Sequence, residues 1–208
     1  IKGKRPQNED KHDVFVNLNG QHDNDVVNNK EHIKSAKINY YAVYDGHGGK
    51  FVSKFLYENM PQFFTNIRVE HPLKKEYISK IYSQFDKIFH EKYLMKTSNT
   101  GSTCLIVIHL KKNGVEYLNV LNTGDSRCIL CRNNIEFAMS KDHKPNWPEE
   151  NARIKMLGGD IIFDGYDWRI KDLSVSRAFG DLEAQPYITN MPDIFRYKLT
   201  PGDKFFVF

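Results

Sequence analysis

Apolar residues in the first half of the chain recur at helical spacing. Those at three- and four-residue intervals predict a helix over residues 51–63 that Pro61 cuts or kinks. A longer apolar stripe predicts a helix over residues 72–95, with Pro72 in its first turn. Before these helices, the apolar residues within 14–18 and 38–44 predict two strands. The polar residues 19–37 between them predict a solvated loop.

From Gly101 onward the period changes to that of strands. Strands are predicted over residues 103–110 and 115–122, joined by a hairpin turn at Asn113-Gly114, and then over residues 127–131 and 135–139. The predicted arrangement is an antiparallel meander. A helix follows, with Asn146 as its cap, Glu149 three residues further on and Gly158 at its end. Helices grouped together and strands in series indicate one α+β domain with antiparallel sheets.

Residues 41–49 join an apolar run to a polar, glycine-rich end. The run predicts a buried strand, and it stops at Asp45-Gly46-His47 followed by two further glycines. One interpretation is a strand-to-helix turn with a capping Asp. The other is a site where a carboxylate and an imidazole hold a metal or a reacting group.

Composition narrows the class of protein. Lysine and arginine number 30 against 26 acidic residues, and because the two signs are interspersed, no basic segment indicates nucleic-acid binding. The three cysteines argue against a disulfide framework and for a reducing, intracellular compartment. Cys128 and Cys131 have CxxC spacing, but on a strand they face opposite sides, which favours core roles over metal binding. No apolar stretch is long enough for a transmembrane helix.

Acidic residues recur at predicted strand ends and turns: Glu9, Asp10, Asp45, Asp125, Asp142, Asp181 and Asp193. Each alone is typical of a turn. Carboxylates gathered at one edge of a sheet, however, suit Mg²⁺ or Mn²⁺. Arg5, close in sequence to Glu9, offers a guanidinium for phosphate oxygens, and His47 offers a proton near neutral pH. This combination suits hydrolysis of a phosphate ester.

The order of the motifs resembles that of the metal-dependent protein phosphatases of type 2C. The resemblance runs from Arg5 to the last strand, and the segments that carry it are Arg5 with Asn8-Glu9-Asp10, Asp45-Gly46-His47-Gly48-Gly49, Gly101-Ser102-Thr103, Asn122-Thr123-Gly124-Asp125-Ser126-Arg127, Asp142-His143-Lys144-Pro145, Glu150 with Arg153-Ile154 and Gly158-Gly159, Ser174-Val175-Ser176-Arg177-Ala178-Phe179-Gly180-Asp181, Pro186-Tyr187 and Pro192-Asp193.

The resemblance implies an α-β-β-α sandwich of two antiparallel sheets, a cleft with two Mg²⁺ or Mn²⁺ ions, and phosphoprotein substrates. Within it, Asp45 would bridge the two ions and Gly46 would bind one through its carbonyl. Glu9 and Asp10 would surround the metal-bound waters, and Asp125 would belong to a weaker third-metal position.

The resemblance also implies direct attack on phosphorus by a metal-bridging water or hydroxide. His47 would be the general acid, and Arg5 would hold the phosphate. Residues 159–172 would form a variable flap that touches substrates, with Trp168 packed or in contact with a partner. Arg177 and Asp181 would be structural residues beside the cleft.

This chain departs from the family pattern at its end. Two further metal-binding aspartates, expected beyond the strand at residues 205–208, are not in this sequence. We therefore expect a catalytic domain, residues 1–208, that is incomplete at both ends, and little activity from these residues alone. The alternative function is a pseudophosphatase that binds phosphoproteins without turnover. A nuclease is disfavoured by the lack of a basic patch. A monomer without a membrane span is expected.

Overall fold

The structure is a computed structural model that describes residues 7–16, 37–65 and 71–208. Arg5 and most of the predicted loop at 19–37 lie outside the described residues. The strands are β1 (Lys11–Phe15), β2 (Lys37–Tyr44), β3 (Gly46–His47), β4 (Gly101–Ser102), β5 (Cys104–Lys112), β6 (Val115–Thr123), β7 (Cys128–Arg132), β8 (Ile135–Ala138), β9 (Ile161–Phe163), β10 (Trp168–Ile170), β11 (Phe179–Gly180), β12 (Asp193–Lys198) and β13 (Lys204–Val207). The helices are α1 (Phe51–Asn59), α2 (Gln62–Thr65), α3 (Lys75–Lys92), α4 (Leu94–Thr97), α5 (Pro148–Met156) and a 3₁₀ helix (Leu182–Ala184).

A five-stranded antiparallel sheet, in the order β1-β2-β5-β6-β12, separates the two main cores. Alternation along β5 assigns its side chains to opposite faces. Cys104 and Ile106 belong to the core shared with the helices, whereas Leu105 and Val107 belong to the core on the other face. This central strand is therefore apolar on both sides, as expected when a sheet is covered twice.

The helical layer packs through aromatic side chains. Phe55 of α1 contacts both Phe85 and Phe89 of α3, with ring centroids 6.0 and 5.2 Å apart. Buried aromatic pairs of this kind add about 0.5–1.5 kcal/mol beyond the area they bury. The break between α1 and α2 falls at Met60 and Pro61, which confirms the predicted interruption.

On the opposite face lies a second, three-stranded sheet in the order β13-β7-β8. Its Leu130 and Phe205 pack against the five-stranded sheet, and the Phe205 ring lies 5.4 Å from that of Tyr41. Helices, first sheet and second sheet are thus stacked in order. The prediction of an α+β sandwich built from antiparallel sheets is confirmed.

Several element boundaries differ from the predictions. The meander is not continuous, because β6 pairs with β12 whereas β7 pairs with β13, so the turn after Thr123 carries the chain between sheets. Strand β1 begins earlier than predicted, at Lys11. Helix α3 begins at Lys75, so Pro72 precedes it. In α5, Trp147 is the cap residue and Pro148 the first helical residue, so the predicted cap at Asn146 is wrong.

Other predictions agree with the structure. The turn at Asn113 and Gly114 has positive φ at both residues, as a two-residue hairpin requires. All three cysteines are free thiols, and burial raises the pKa of Cys104 and of Cys128 to about 12, which makes both poor metal ligands. Among the described helices, none has the length and hydrophobicity to cross a membrane.

A buried carboxylate lies on the strand that leads out of the cleft. Asp13 of β1 is 6% exposed, and its Oδ2 has no hydrogen-bond partner among the described residues. Its burial raises the pKa to about 6, although a hydrogen bond from Tyr44 and the nearby His12 oppose this. The Tyr44 hydroxyl in turn lies 2.8 Å from that of Tyr40. The sheet edge therefore holds a carboxyl group that keeps its proton to a higher pH than an exposed aspartate does.

Asp13→Asn is expected to stabilise the protein increasingly as the pH rises from about 4 to about 6. The native pKa of Asp13 is raised to about 6 from 3.8, so ionisation lowers the stability of the wild type across this interval. After allowance for screening, we expect a gain of about 1–2 kcal/mol above pH 6 and little change at pH 4. Urea unfolding at several pH values measures it, with exposed Asp160→Asn as control. A gain independent of pH would contradict the assignment.

Candidate active site

The backbone of Asp45 is fixed from two directions by one residue. Asp45 follows the last residue of β2, and its N–H donates to the Oγ1 of Thr103 at 3.0 Å. The Thr103 N–H donates back to the Asp45 carbonyl at 2.9 Å. The Thr103 hydroxyl also lies 2.8 Å from that of Ser126, beside the Asp125 turn. These bonds direct the Asp45 carboxylate into the cleft.

Gly46 lets a second segment approach. A Cβ at Gly46 would lie 2.6 Å from the Glu9 carbonyl oxygen and 2.7 Å from the Ser53 Oγ. Instead, the buried Ser53 hydroxyl of α1 donates a short hydrogen bond to the Glu9 carbonyl. The absence of a side chain at Gly46 is thus what brings Glu9 and Asp10 next to Asp45.

Three carboxylates crowd this point. Partial desolvation, contact with Asp10 and the charge of Asp125 raise the pKa of Asp45 to about 6. Like charges held together disfavour ionisation, and a bound cation reverses that preference. The donors are hard oxygens, so they fit Mg²⁺ or Mn²⁺. Among the described residues, however, no group of three or more His, Cys, Asp or Glu side chains forms a ready metal site.

Asp125 already has a cationic partner. The Nζ of Lys144 lies 2.6 Å from the Asp125 Oδ2 and 3.8 Å from the Oδ2 of Asp167. His143 holds the turn that contains Asp125, because the Gly124 N–H donates to the His143 Nδ1 at 3.1 Å. Lys144 was not singled out from the sequence, although it follows His143 directly.

His47 lies on the short strand β3 rather than in a loop. Its Nε2 is 2.7 Å from the Oδ2 of Asp181, a residue only 2% exposed. Burial would lower the pKa of His47, but the hydrogen bond and charge of Asp181, with the charge of Asp45, raise it above its ordinary value. Sequence reasoning assigned Asp181 a structural place beside the cleft and missed this contact.

These groups share a cleft of about 420 Å³. Glu9, Asp45, His47 and Asp125 line it, and so does Arg169 on β10. Among the acidic residues that drew attention in the sequence, Asp142 and Asp193 serve elsewhere: Asp142 pairs with Arg127 at 2.7 Å and Asp193 with Arg177 at 2.9 Å.

Segment 159–172 contains the β9–β10 hairpin beside the cleft. The Trp168 ring packs on that of Phe163, 5.3 Å away, yet remains 40% exposed. Arg169 is tied to Asp164 of the hairpin turn and donates to the Asp172 carbonyl at 2.8 Å. An arginine at the cleft wall is thus held by the hairpin itself, and sequence spacing gave no signal for it.

A buried ion network supports the segment that leads to Asp181. Glu150 of α5 accepts from Arg177 at 2.6 Å and from Arg153 at 2.9 Å. Burial would raise the pKa of Glu150, but hydrogen bonds from the two arginines lower it to about 2. The network agrees with the structural place expected for Arg177.

The protein phosphatase 2C family model matches residues 10–208, so the chain belongs to that family. A PP2C-like domain-containing protein of Acanthamoeba polyphaga mimivirus is 47% identical over 98 residues, which cover 44% of this chain and 55% of that protein. Protein phosphatase 2C 1 of Paramecium tetraurelia is 33% identical over 190 residues, or 81% of this chain and 61% of that one. The chain thus spans little more than half the length of these two relatives.

Solved structures share the fold. A phosphatase from a pathogenic strain of Toxoplasma gondii superposes with a TM-score of 0.74 over 99% of this chain and 72% of that one, at 21% identity. A Caenorhabditis elegans sex determining protein gives the same TM-score over 98% of this chain and 48% of that one, at 22% identity. At such identities the likeness concerns the fold alone.

Glu150→Gln is expected to lower the free energy of unfolding by about 2–4 kcal/mol, since it leaves partly buried arginine charge without its partner. The wild-type advantage should fall as the pH drops from 4.5 towards 2, because the native pKa of Glu150 is depressed to about 2. Denaturant unfolding measures both effects. The neighbouring exposed Glu149→Gln serves as control and should leave the midpoint unchanged; equal effects of the two variants would contradict the network's role.

Proposed function

We propose that residues 1–208 belong to the catalytic domain of a metal-dependent phosphatase that removes phosphate from serine and threonine in proteins. The single observation that carries the proposal is the crowding of Asp45 by Asp10 and Asp125 beside His47. Carboxylates so placed require a cation, and a neighbouring imidazole offers a proton to a leaving oxygen. Membership of the family supports the same reaction.

Two Mg²⁺ or Mn²⁺ ions would be held by Asp45 and by the carbonyl of Gly46, with Glu9 and Asp10 holding surrounding waters. Bound there, such ions would supply an acidified water and neutralise negative charge on the phosphoryl oxygens. The convergence of Glu9 and Asp10 on Asp45, which the close approach at Gly46 permits, supports this assignment.

The protein's own residues would then orient the ester and move a proton. Arg5, outside the described residues, would bind two phosphate oxygens through its guanidinium. His47 would donate a proton to the serine or threonine oxygen as the P–O bond breaks. Residues 159–172 would act as a flap that contacts the phosphoprotein, and Arg169 at the cleft wall supports that role.

Asp45→Asn is expected to lower kcat/KM by at least ~100-fold, because it removes the charge around which the ions assemble. It should also abolish the rise in melting temperature that MnCl₂ produces in the wild type, since a ligand that binds only the native state stabilises it. We would measure both on the intact protein, with a phosphoserine peptide as substrate and with EDTA as the metal-free reference.

Exposed Glu91→Gln on α3 serves as the matched charge-removal control and should change neither quantity. Turnover that survives EDTA, or full activity of Asp45→Asn, would falsify the proposal. Mn²⁺ stabilisation without any turnover would instead favour the alternative, a phosphoprotein-binding pseudophosphatase.

We infer that a weaker third ion at Asp125 competes with Lys144, whose ammonium lies 2.6 Å from its carboxylate. Lys144→Met should therefore tighten the weakest Mn²⁺ site several-fold, because it removes a cation that the ion must displace. Titration of Mn²⁺ by electron paramagnetic resonance measures the change. Adding Asp125→Asn should cancel the gain, and unchanged binding in Lys144→Met would disprove the competition.

A further inference from the structure

A buried carboxylate lies directly behind the imidazole of His47. The distance from His47 Nε2 to Asp181 Oδ2 is 2.7 Å, and Asp181 is 2% exposed. An ionised carboxylate only accepts hydrogen bonds, so the proton of this contact belongs to Nε2. The ring's other nitrogen, Nδ1, makes no hydrogen bond within the described part of the chain, and His47 lines the cleft.

A small three-stranded sheet, β11-β4-β3, builds this contact. Gly101 of β4 lies opposite His47 on one side and opposite Gly180 on the other. A Cβ on Gly101 would lie 2.1 Å from the Asp181 Oδ2 and 2.5 Å from the His47 Nε2. The two side chains meet across the space that this glycine leaves.

The backbone of Asp181 is held in an uncommon conformation. Its φ is +48°, in the left-handed region that disfavours residues with a side chain. Its N–H donates to the Thr100 carbonyl at 3.0 Å, and its carbonyl accepts from Ala184 at 2.8 Å in the 3₁₀ helix. These bonds hold the carboxylate in place although the residue is strained, a combination found at functional sites.

We propose that Asp181 is a positioning residue for His47, and this inference rests on the proposed role of His47 as general acid. Asp181 fixes the ring with Nε2–H on its carboxylate and directs Nδ1–H to the substrate. As a water oxygen bonds to phosphorus, the bond from phosphorus to the serine oxygen breaks; its electron pair stays on the serine oxygen, which takes the Nδ1 proton. The Nε2 proton remains on the ring, and solvent water reprotonates Nδ1.

The test compares leaving groups in the intact protein. Asp181→Asn should lower kcat about 10–100-fold on a phosphoserine peptide, whose alkoxide leaves only with a proton. On p-nitrophenyl phosphate, whose anion leaves without one, the loss should be several-fold smaller. In a His47→Gln background, Asp181→Asn should cause no further loss on either substrate, because residues that act as one unit are not additive.

Glu183→Gln is the matched control, since it removes an exposed acidic charge two residues away and should leave both rates unchanged. Equal losses of Asp181→Asn on the two substrates, or losses that add to those of His47→Gln, would overturn the inference. If His47→Gln itself shows no leaving-group dependence, the failure lies with the proposed acid role of His47.

Nuclear magnetic resonance keeps the inference testable if Asp181→Asn does not fold. In ¹⁵N-labelled wild-type protein, two-bond ¹H–¹⁵N spectra report which ring nitrogen of neutral His47 carries the proton. We expect the proton on Nε2. A proton on Nδ1, or the averaged signal of a ring that samples both tautomers, would overturn the inference without any assay of activity.

Discussion

The site depends on the paired hydrogen bonds between Thr103 and Asp45. They lie two residues past the last pair of the β2–β5 ladder, Val43 and Leu105, where the chain leaves the sheet. Fixing the backbone of one residue costs about 1–2 kcal/mol, so a residue at this point stays ordered only where other bonds offset that cost. Thr103 supplies these bonds. Because Thr103 is itself held by packed strands, the bonds fix the position of the Asp45 carboxylate.

That rigidity holds charges where they repel each other. Partial burial first, and then the neighbouring Asp10 and Asp125, raise the pKa of Asp45. The buried aromatic core beneath, which includes Tyr40 and Tyr44, resists a separation of these carboxylates. A cleft with crowded carboxylates lowers the stability of a protein when no cation is bound, and a cation that binds there raises it. Loss of stability at a functional site is common.

Local physics made much of this predictable. The Asn113-Gly114 turn and the break at Pro61 follow from single-residue backbone preferences, and the α+β class follows from periodicity. The switch of sheets after Thr123 was missed, because pairing partners lie far along the chain. The partner of His47 lies 134 residues away at Asp181, a separation that no local pattern encodes. The order of the motifs was enough to predict where the cleft lies. The contacts between its side chains could be seen only in the folded structure.

Two departures from local backbone preference, at Asp181 and at Gly101, lie beside His47. Asp181 has positive φ immediately after Gly180, which also has positive φ but, without a side chain, adopts it at no steric cost. Glycine is unfavourable inside a strand, but at Gly101 the lack of a side chain leaves space for the side chains of His47 and Asp181. A sheet of two-residue strands is too small to be retained for stability alone. Its register, which sets Asp181 behind His47, is the better reason for its presence.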